Sequence, residues 1–158
     1  MRKPWNAIDL TVYSLATMYN NALNMNICTY VSAVSMQPKQ YMIAIYHGSH
    51  TLAVAQQTET AVLQILSTAQ TRLVKTLGHK SGTSYNKHQY LNNTKQLSTW
   101  QSWPVLMDAY AYLLLRKLQV MPAGDHDIFL YEVEAQKTAN ADSAILTTNY
   151  LRDKKLLR

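Results

Sequence analysis

Five consecutive residues, His47-Gly48-Ser49-His50-Thr51, stand between an apolar run ending at Tyr46 and a helix-forming segment, and their chemistry suits an anion. Ser49 is placed to cap a helix over residues 51–57, and Gly48 before it lets the backbone come close to a ligand. A helix N-terminus carries unpaired N–H groups and partial positive charge, so a phosphate can rest there without a dedicated cation. His47 and His50 add hydrogen bonds and, when protonated, charge. The same residues also fit a plain capped helix with surface histidines. Upstream, residues 26–35 read as a strand with small polar side chains at Asn26, Cys28, Thr29, Ser32 and Ser35, followed by a break at Pro38 and an apolar strand over 42–46. That order sets hydroxyls and backbone amides beside one cavity and then opens a helix, which suits a phosphorylated planar molecule.

Other reactive side chains are sparse. A single cysteine, Cys28, can form neither an internal disulfide nor a cysteine-pair zinc site, and nothing beside it in sequence would lower its pKa. Mid-strand, it reads as a small buried hydrophobe and not a nucleophile. The five histidines lack metal-ligand spacing, so no metal is expected. His126 sits in a Pro- and Gly-containing turn, residues 121–127, flanked by Asp125 and Asp127, and from the residues alone it reads as a turn histidine. Tyr13, Tyr30, Tyr46, Trp5 and Trp103 offer faces for a planar ligand, although at strand spacing they equally fit core or dimer contacts. Met18, Met25, Met36 and Met42 read as packing.

These residues need a scaffold, and the chain supplies mostly strands. Segments 12–18, 26–35, 42–46, 61–66, 110–120 and 128–135 are rich in β-branched or aromatic residues. One amphipathic helix is expected from a Ser67 cap, with Ala69, Leu73 and Leu77 on one face and Gly78 ending it. Residues 80–102 are polar and read as surface loops and short turns. So many strands with few covering helices predict a mainly β fold, an antiparallel, Greek-key-like barrel that leaves few open edges. A doubly wound nucleotide fold is disfavoured, since strands do not alternate regularly with helices and no Gly-x-Gly-x-x-Gly follows a strand.

The 158 residues, 47% of them hydrophobic, fit one packed domain over residues 1–158. No apolar run is long enough to span a bilayer, and the basic start Met1-Arg2-Lys3-Pro4-Trp5 is not followed by a signal core, so a cytoplasmic setting without membrane attachment is expected. The net charge of +6 is concentrated at the ends, in Arg2 and Lys3 and in Arg152, Lys154, Lys155 and Arg158. Without aromatic residues interleaved among the basic ones, this charge points away from nucleic acid and toward an anionic small molecule.

Taken together, several segments resemble the flavin reductase-like proteins of the FMN-binding split-barrel superfamily. The likeness covers residues 10–158 and includes residues 26–38, the apolar strand and turn ending at Ser49-His50-Thr51, Ala61 to Leu66, Gly78-His79-Lys80-Ser81-Gly82 with Asn86-Lys87, Trp103-Pro104-Val105-Leu106, and Gly124-Asp125-His126-Asp127-Ile128-Phe129-Leu130. The resemblance implies a homodimer that holds FMN, with FAD or riboflavin as alternative flavins, and takes electrons from NADH or NADPH. It implies that Asn26, Cys28, Thr29, Tyr30, Ser32 and Ala33 contact the isoalloxazine ring and ribityl chain. It places His47, Gly48, Ser49, His50 and Thr51 around the phosphate, Ser81 and Lys87 in a loop closing over the site, and His126 beside the nicotinamide or substrate. The chain departs from the family pattern at Pro38-Lys39, where many relatives have two prolines, at Gln64, where they have asparagine, and in using histidine in the phosphate turn.

The expected activity is NAD(P)H-dependent flavin reduction, in which no catalytic triad or carboxylate pair is required. The alternative is an FMN-binding protein that stores flavin or exchanges electrons with a protein partner and has no nicotinamide site. A third class is an anion-binding barrel without flavin.

Overall fold

A computed structural model describes residues 1–157; Arg158, one of the terminal basic residues, lies outside them. The strands are β1 (Tyr13–Tyr19), β2 (Ala22–Met25), β3 (Val31–Met36), β4 (Lys39–Tyr46), β5 (Thr60–Ile65), β6 (Leu97–Trp100), β7 (Trp103–Leu106), β8 (Ala111–Ala123) and β9 (His126–Thr138). The helices are α1 (His50–Gln57), α2 (Leu73–His79), α3 (Lys87–Asn93) and α4 (Thr148–Asp153). Seven strands form one antiparallel sheet in the order β2-β1-β5-β8-β9-β4-β3, while β6 and β7 make a separate hairpin.

The sheet rolls up because the chain between β2 and β3 touches both of its sides. Tyr13 and Cys28 exchange backbone hydrogen bonds of 2.9 Å, and the Ala44 amide donates to the Tyr30 carbonyl at 2.9 Å. Residues 26–30 thus bridge β1 to β4 and close a barrel of the FMN-binding split-barrel type, as expected. They do so by isolated contacts and not by a continuous ladder. The strand expected over residues 26–35 is therefore broken, with β3 beginning only at Val31. Part of the missing ladder is supplied by a side chain, since Asn26 Oδ1 accepts from the Leu15 amide at 2.8 Å.

Two apolar clusters follow from the alternation along the strands. Leu15, Ile43, Ile45, Leu63, Leu115, Phe129 and Tyr131 belong to one. Val12, Ala16, Met25, Val62 and Leu66 belong to the other, with Leu73 and Leu77 of α2, Leu91 of α3 and Leu151 of α4. Gln64 adds a polar pin to the second, its Oε1 accepting from the Leu106 amide at 2.6 Å.

Several expected boundaries move. Ser67 does cap, but its capping box with Gln70 closes a short 3₁₀ turn; α2 starts later at Leu73, runs through Gly78 to His79, and leaves Ala69 exposed. The region read as loops, residues 80–102, contains α3 and β6, because Asn86 caps α3 by accepting from the Gln89 amide at 2.9 Å and Leu91 is fully buried. Helix α4 was not evident in the sequence; Thr147 caps it, and Asp9 accepts from the Asn149 amide at 2.7 Å. Met36, read as packing, is 90% exposed at the end of β3. Among the described residues no helix is long and apolar enough to cross a membrane.

The long β8–β9 hairpin ends in a two-residue turn at Gly124 and Asp125. Gly124 has φ of +63°, the left-handed conformation that glycine adopts without a steric penalty. This turn sets His126 at the first position of β9, paired with Tyr46 at the end of β4.

Candidate functional site

Where residues 26–30 cross between β1 and β4, the barrel wall opens into a cavity of about 540 Å³, within the range usual for small-molecule sites. Most of its lining comes from the crossing segment itself, the Tyr46-to-Thr51 turn that starts α1, residues 77–82 at the end of α2 and just after it, and His126 from the hairpin, with Asn24, Ala44, Ile45 and Lys87 completing it. No aspartate or glutamate lines it, whereas Lys80, Lys87, His50, His79 and His126 do. A space with cationic and hydroxyl-bearing walls and no carboxylate favours an anion.

The start of α1 is built as the residue pattern requires. Ser49 Oγ accepts from the Leu52 amide at 3.2 Å and donates to the Tyr46 carbonyl at 2.8 Å. Its hydroxyl is therefore spent on the cap, and the first-turn amides of His50 and Thr51 remain without intrahelical partners. Thr51 is 3% exposed, and its Oγ1 accepts from Asn24 Nδ2 at 2.9 Å, so Asn24 braces the helix start from β2. Gly48 is needed for close approach, because a Cβ there would stand 2.5 Å from the Tyr46 ring.

His126 is held from two sides. Its Nδ1 lies 2.6 Å from Asp125 Oδ1, and the Tyr30 and Tyr46 ring centroids lie 5.3 and 5.6 Å from its own. The hydrogen bond from His126 holds the Asp125 carboxyl below the usual carboxylate range. An ionised carboxylate can only accept, so Nδ1 carries the proton and Nε2 is the ring's free atom. The hairpin tip is tied down by His47, whose Nε2 meets Asp127 Oδ1 at 2.9 Å and whose amide donates to the Asp125 carbonyl at 3.0 Å.

Lys87 does not sit in a closing loop; it opens α3 with its side chain buried. Its Nζ donates to the Met25 carbonyl at 2.9 Å and to the Leu77 carbonyl at 2.8 Å. The second acceptor belongs to the last turn of α2, where the helix dipole favours a cation. Burial pulls its pKa down to about 8. Cys28 is affected in the opposite sense, burial pushing its thiol up to about 12, which leaves it unreactive as a nucleophile.

Of the residues expected at the site, Asn26, Cys28, Thr29, Tyr30, Gly48, Ser49, His50, Thr51, Ser81, Lys87 and His126 line this one cavity. Ser32 and Ala33 lie outside it, exposed on β3, and His47 is turned to Asp127. Tyr30 and Tyr46 border the cavity, while Tyr13, Trp5 and Trp103 do not. Asn24, Ile27 and Gly82 line it without having been singled out as ligand contacts. Asn24 carried a usable signal, since it stands two positions before Asn26 and four before Cys28.

The chain matches the flavin reductase like domain over residues 6–154. Among solved structures it is similar to an FMN-binding protein from Thermus thermophilus with bound 1-cyclohex-2-enone, at 20% identity and a TM-score of 0.79 over 89% of this chain and 77% of that one. It is similar to the flavin reductase PheA2 at 22% identity and a TM-score of 0.76, over 90% of this chain and 87% of that one. It is also similar to the Streptomyces globisporus NADH:FAD oxidoreductase SgcE6 in complex with NAD and FAD fragments, at 16% identity and a TM-score of 0.78, over 90% of this chain and 82% of that one. No curated protein sequence matches the chain significantly. Matched from residue 6 to residue 154 and sharing the barrel of these structures, the chain belongs to the flavin reductase like family.

Proposed function

We propose that this chain is an NAD(P)H-dependent flavin reductase that binds the FMN half of its flavin in the cavity at the barrel seam. The observation that carries the reading is the convergence of the capped start of α1 and of His126 on one cavity without carboxylates. The residues fit a flavin. The first-turn amides of α1 offer donors to a phosphate, the crossing segment offers backbone groups and the Thr29 hydroxyl along a ring edge, and Gly48 and Gly82 keep the walls thin. The chemistry such a group supplies is hydride transfer from NADH or NADPH to its N5, followed by electron delivery to an acceptor.

The chain's own work is to hold two planar groups together and keep water out. His126, oriented by Asp125, presents Nε2 to the nicotinamide carboxamide, and Tyr30 and Tyr46 flank it as rigid walls. None of these residues needs to move a proton for hydride transfer. Exposed apolar side chains on β3 and the β8–β9 hairpin (Val34, Met36, Leu118, Val120, Met121) support a homodimer.

The test is anaerobic stopped-flow absorbance of flavin-loaded protein mixed with NADH and, separately, NADPH. Rapid bleaching of the flavin band by either donor is expected, and the faster one identifies the donor. Stable flavin colour with both donors overturns the reductase reading in favour of electron transfer or flavin storage.

A further inference from the structure

NADPH differs from NADH by a phosphate monoester on the adenosine ribose, a group that carries about 1.5 to 2 negative charges at neutral pH. In dinucleotide sites a carboxylate that accepts from the ribose 2′-hydroxyl selects NADH, and a cation in its place accommodates the 2′-phosphate. The walls open to a donor in this chain have cations and lack the carboxylate. A second cavity, of about 620 Å³, adjoins the first through Asn24, His50, Gly82 and Lys87, and neither lining includes an aspartate or a glutamate.

Most of the basic residues on the first wall already have a place. Lys87 is buried and donates to two carbonyls, His50 stands in the first turn of α1 beside the amides assigned to the flavin phosphate, and His126 is held by Asp125. His79 and Lys80 remain. His79 ends α2, Lys80 follows it, and both are exposed on the rim of the first cavity. Among the described residues neither is paired with a carboxylate.

Lys80 is nonetheless held in place. Its ammonium stands 4.1 Å from the centroid of the Tyr85 ring, which is half-buried and lines the second cavity. The turn between them keeps the two together, since the Ser84 and Tyr85 amides donate to the Ser81 carbonyl at 3.2 and 3.0 Å. The contact sets a cation where the two linings meet, with N–H groups still free for an anion. A side chain already oriented in this way loses less freedom on binding than a loose surface lysine.

We propose that the chain prefers NADPH to NADH, with Lys80, positioned by Tyr85 and assisted by His79, recognising the 2′-phosphate. The inference rests on the reductase reading of the first cavity.

The test is steady-state flavin reduction by NADPH and by NADH, together with calorimetric binding of adenosine 2′,5′-bisphosphate and of 5′-AMP to the flavin-loaded protein. The wild type is expected to show a kcat/KM about tenfold higher for NADPH, the size of one charge-assisted hydrogen bond, and to bind the bisphosphate more tightly than 5′-AMP. Lys80→Gln is expected to remove both preferences, acting on the KM for NADPH and not on its kcat, while Lys80→Arg keeps them. Lys80 is exposed, so these variants are expected to fold, and the absorbance of bound flavin checks that they do. In the wild type alone, added salt is expected to raise the KM for NADPH more than that for NADH, because the paired charges are exposed; equal salt responses overturn the inference. Equal efficiency with the two donors, or a preference for NADH, also overturns it and leaves the reductase reading standing. An NADPH preference that survives Lys80→Gln overturns it by taking the 2′-phosphate away from Lys80. Bleaching of the flavin by neither donor overturns the reductase reading itself and the inference with it.

Discussion

Lys87 is the residue whose surroundings most constrain what can happen beside the cavity. It is 7% exposed, no carboxylate among the described residues is paired with it, and two carbonyl dipoles face its charge. Replacing it with methionine keeps the stem but strips both carbonyls of a donor, at an expected cost on the order of 2 kcal/mol, measured by urea unfolding. The pH dependence has a definite sign. The folded pKa is about 8 against 10.5 for an ordinary lysine, so between those values the unfolded chain holds a proton that the folded chain has released. Unfolding then takes up a proton, and stability rises with pH across that window. Lys87→Met is expected to abolish that rise, whereas a parallel pH profile in the variant would show that Lys87 does not titrate there. At His126 the prediction is kinetic. His126→Ala is expected to slow flavin reduction by NAD(P)H with little change in flavin affinity, and an unchanged hydride-transfer rate would return it to a turn residue.

At the level of elements, the turn proposed to hold the phosphate depends on the Ser49 cap and on the brace from Asn24 to Thr51. Ser49→Ala is expected to cost about 1 kcal/mol of stability, as helix caps do. The double variant with Thr51→Ala is expected to weaken FMN more than riboflavin, because only FMN presents a phosphate to the loosened first turn. Equal weakening of the two ligands would show that the turn is not the phosphate site. This turn was legible in the sequence because every signal is local: a cap residue, a glycine before it and an apolar strand leading in. The broken strand at residues 26–30 was not legible, since strand-forming residues there are diverted by a long-range contact, Tyr13 to Cys28, and by Asn26 taking the place of a ladder partner. Helix α3 was hidden for a different reason. Its exposed face is polar like the surrounding loops, and its anchoring residues are one leucine and a lysine whose burial depends on carbonyls elsewhere in the chain. The gathering of Gly82, His50 and Asn24 into one frame joins three distant stretches of sequence, and only the closed barrel reveals it.

At the scale of the whole molecule, the barrel leaves one flank unprotected. Strand β3 ends the sheet order, and its Val34 and Met36 are 51% and 90% exposed. Further along the same sheet, beyond β4 and β9, strand β8 shows Leu118, Val120 and Met121 at 39%, 38% and 49%. An apolar sheet edge of this kind is a template for association unless another chain covers it, and a second copy satisfies it with the same residues on both sides. Tyr30 and Tyr46 line the cavity and are also more than half exposed, so a partner that covered them would add a wall to it. The wild type is therefore expected to run as a dimer in light scattering. Met36→Glu combined with Val120→Glu is expected to give monomers that fold but hold flavin more weakly, since the charges face a dry interface and the cavity loses one wall. A wild-type monomer with full flavin affinity would show that one chain completes the site alone and that the exposed flank serves another purpose.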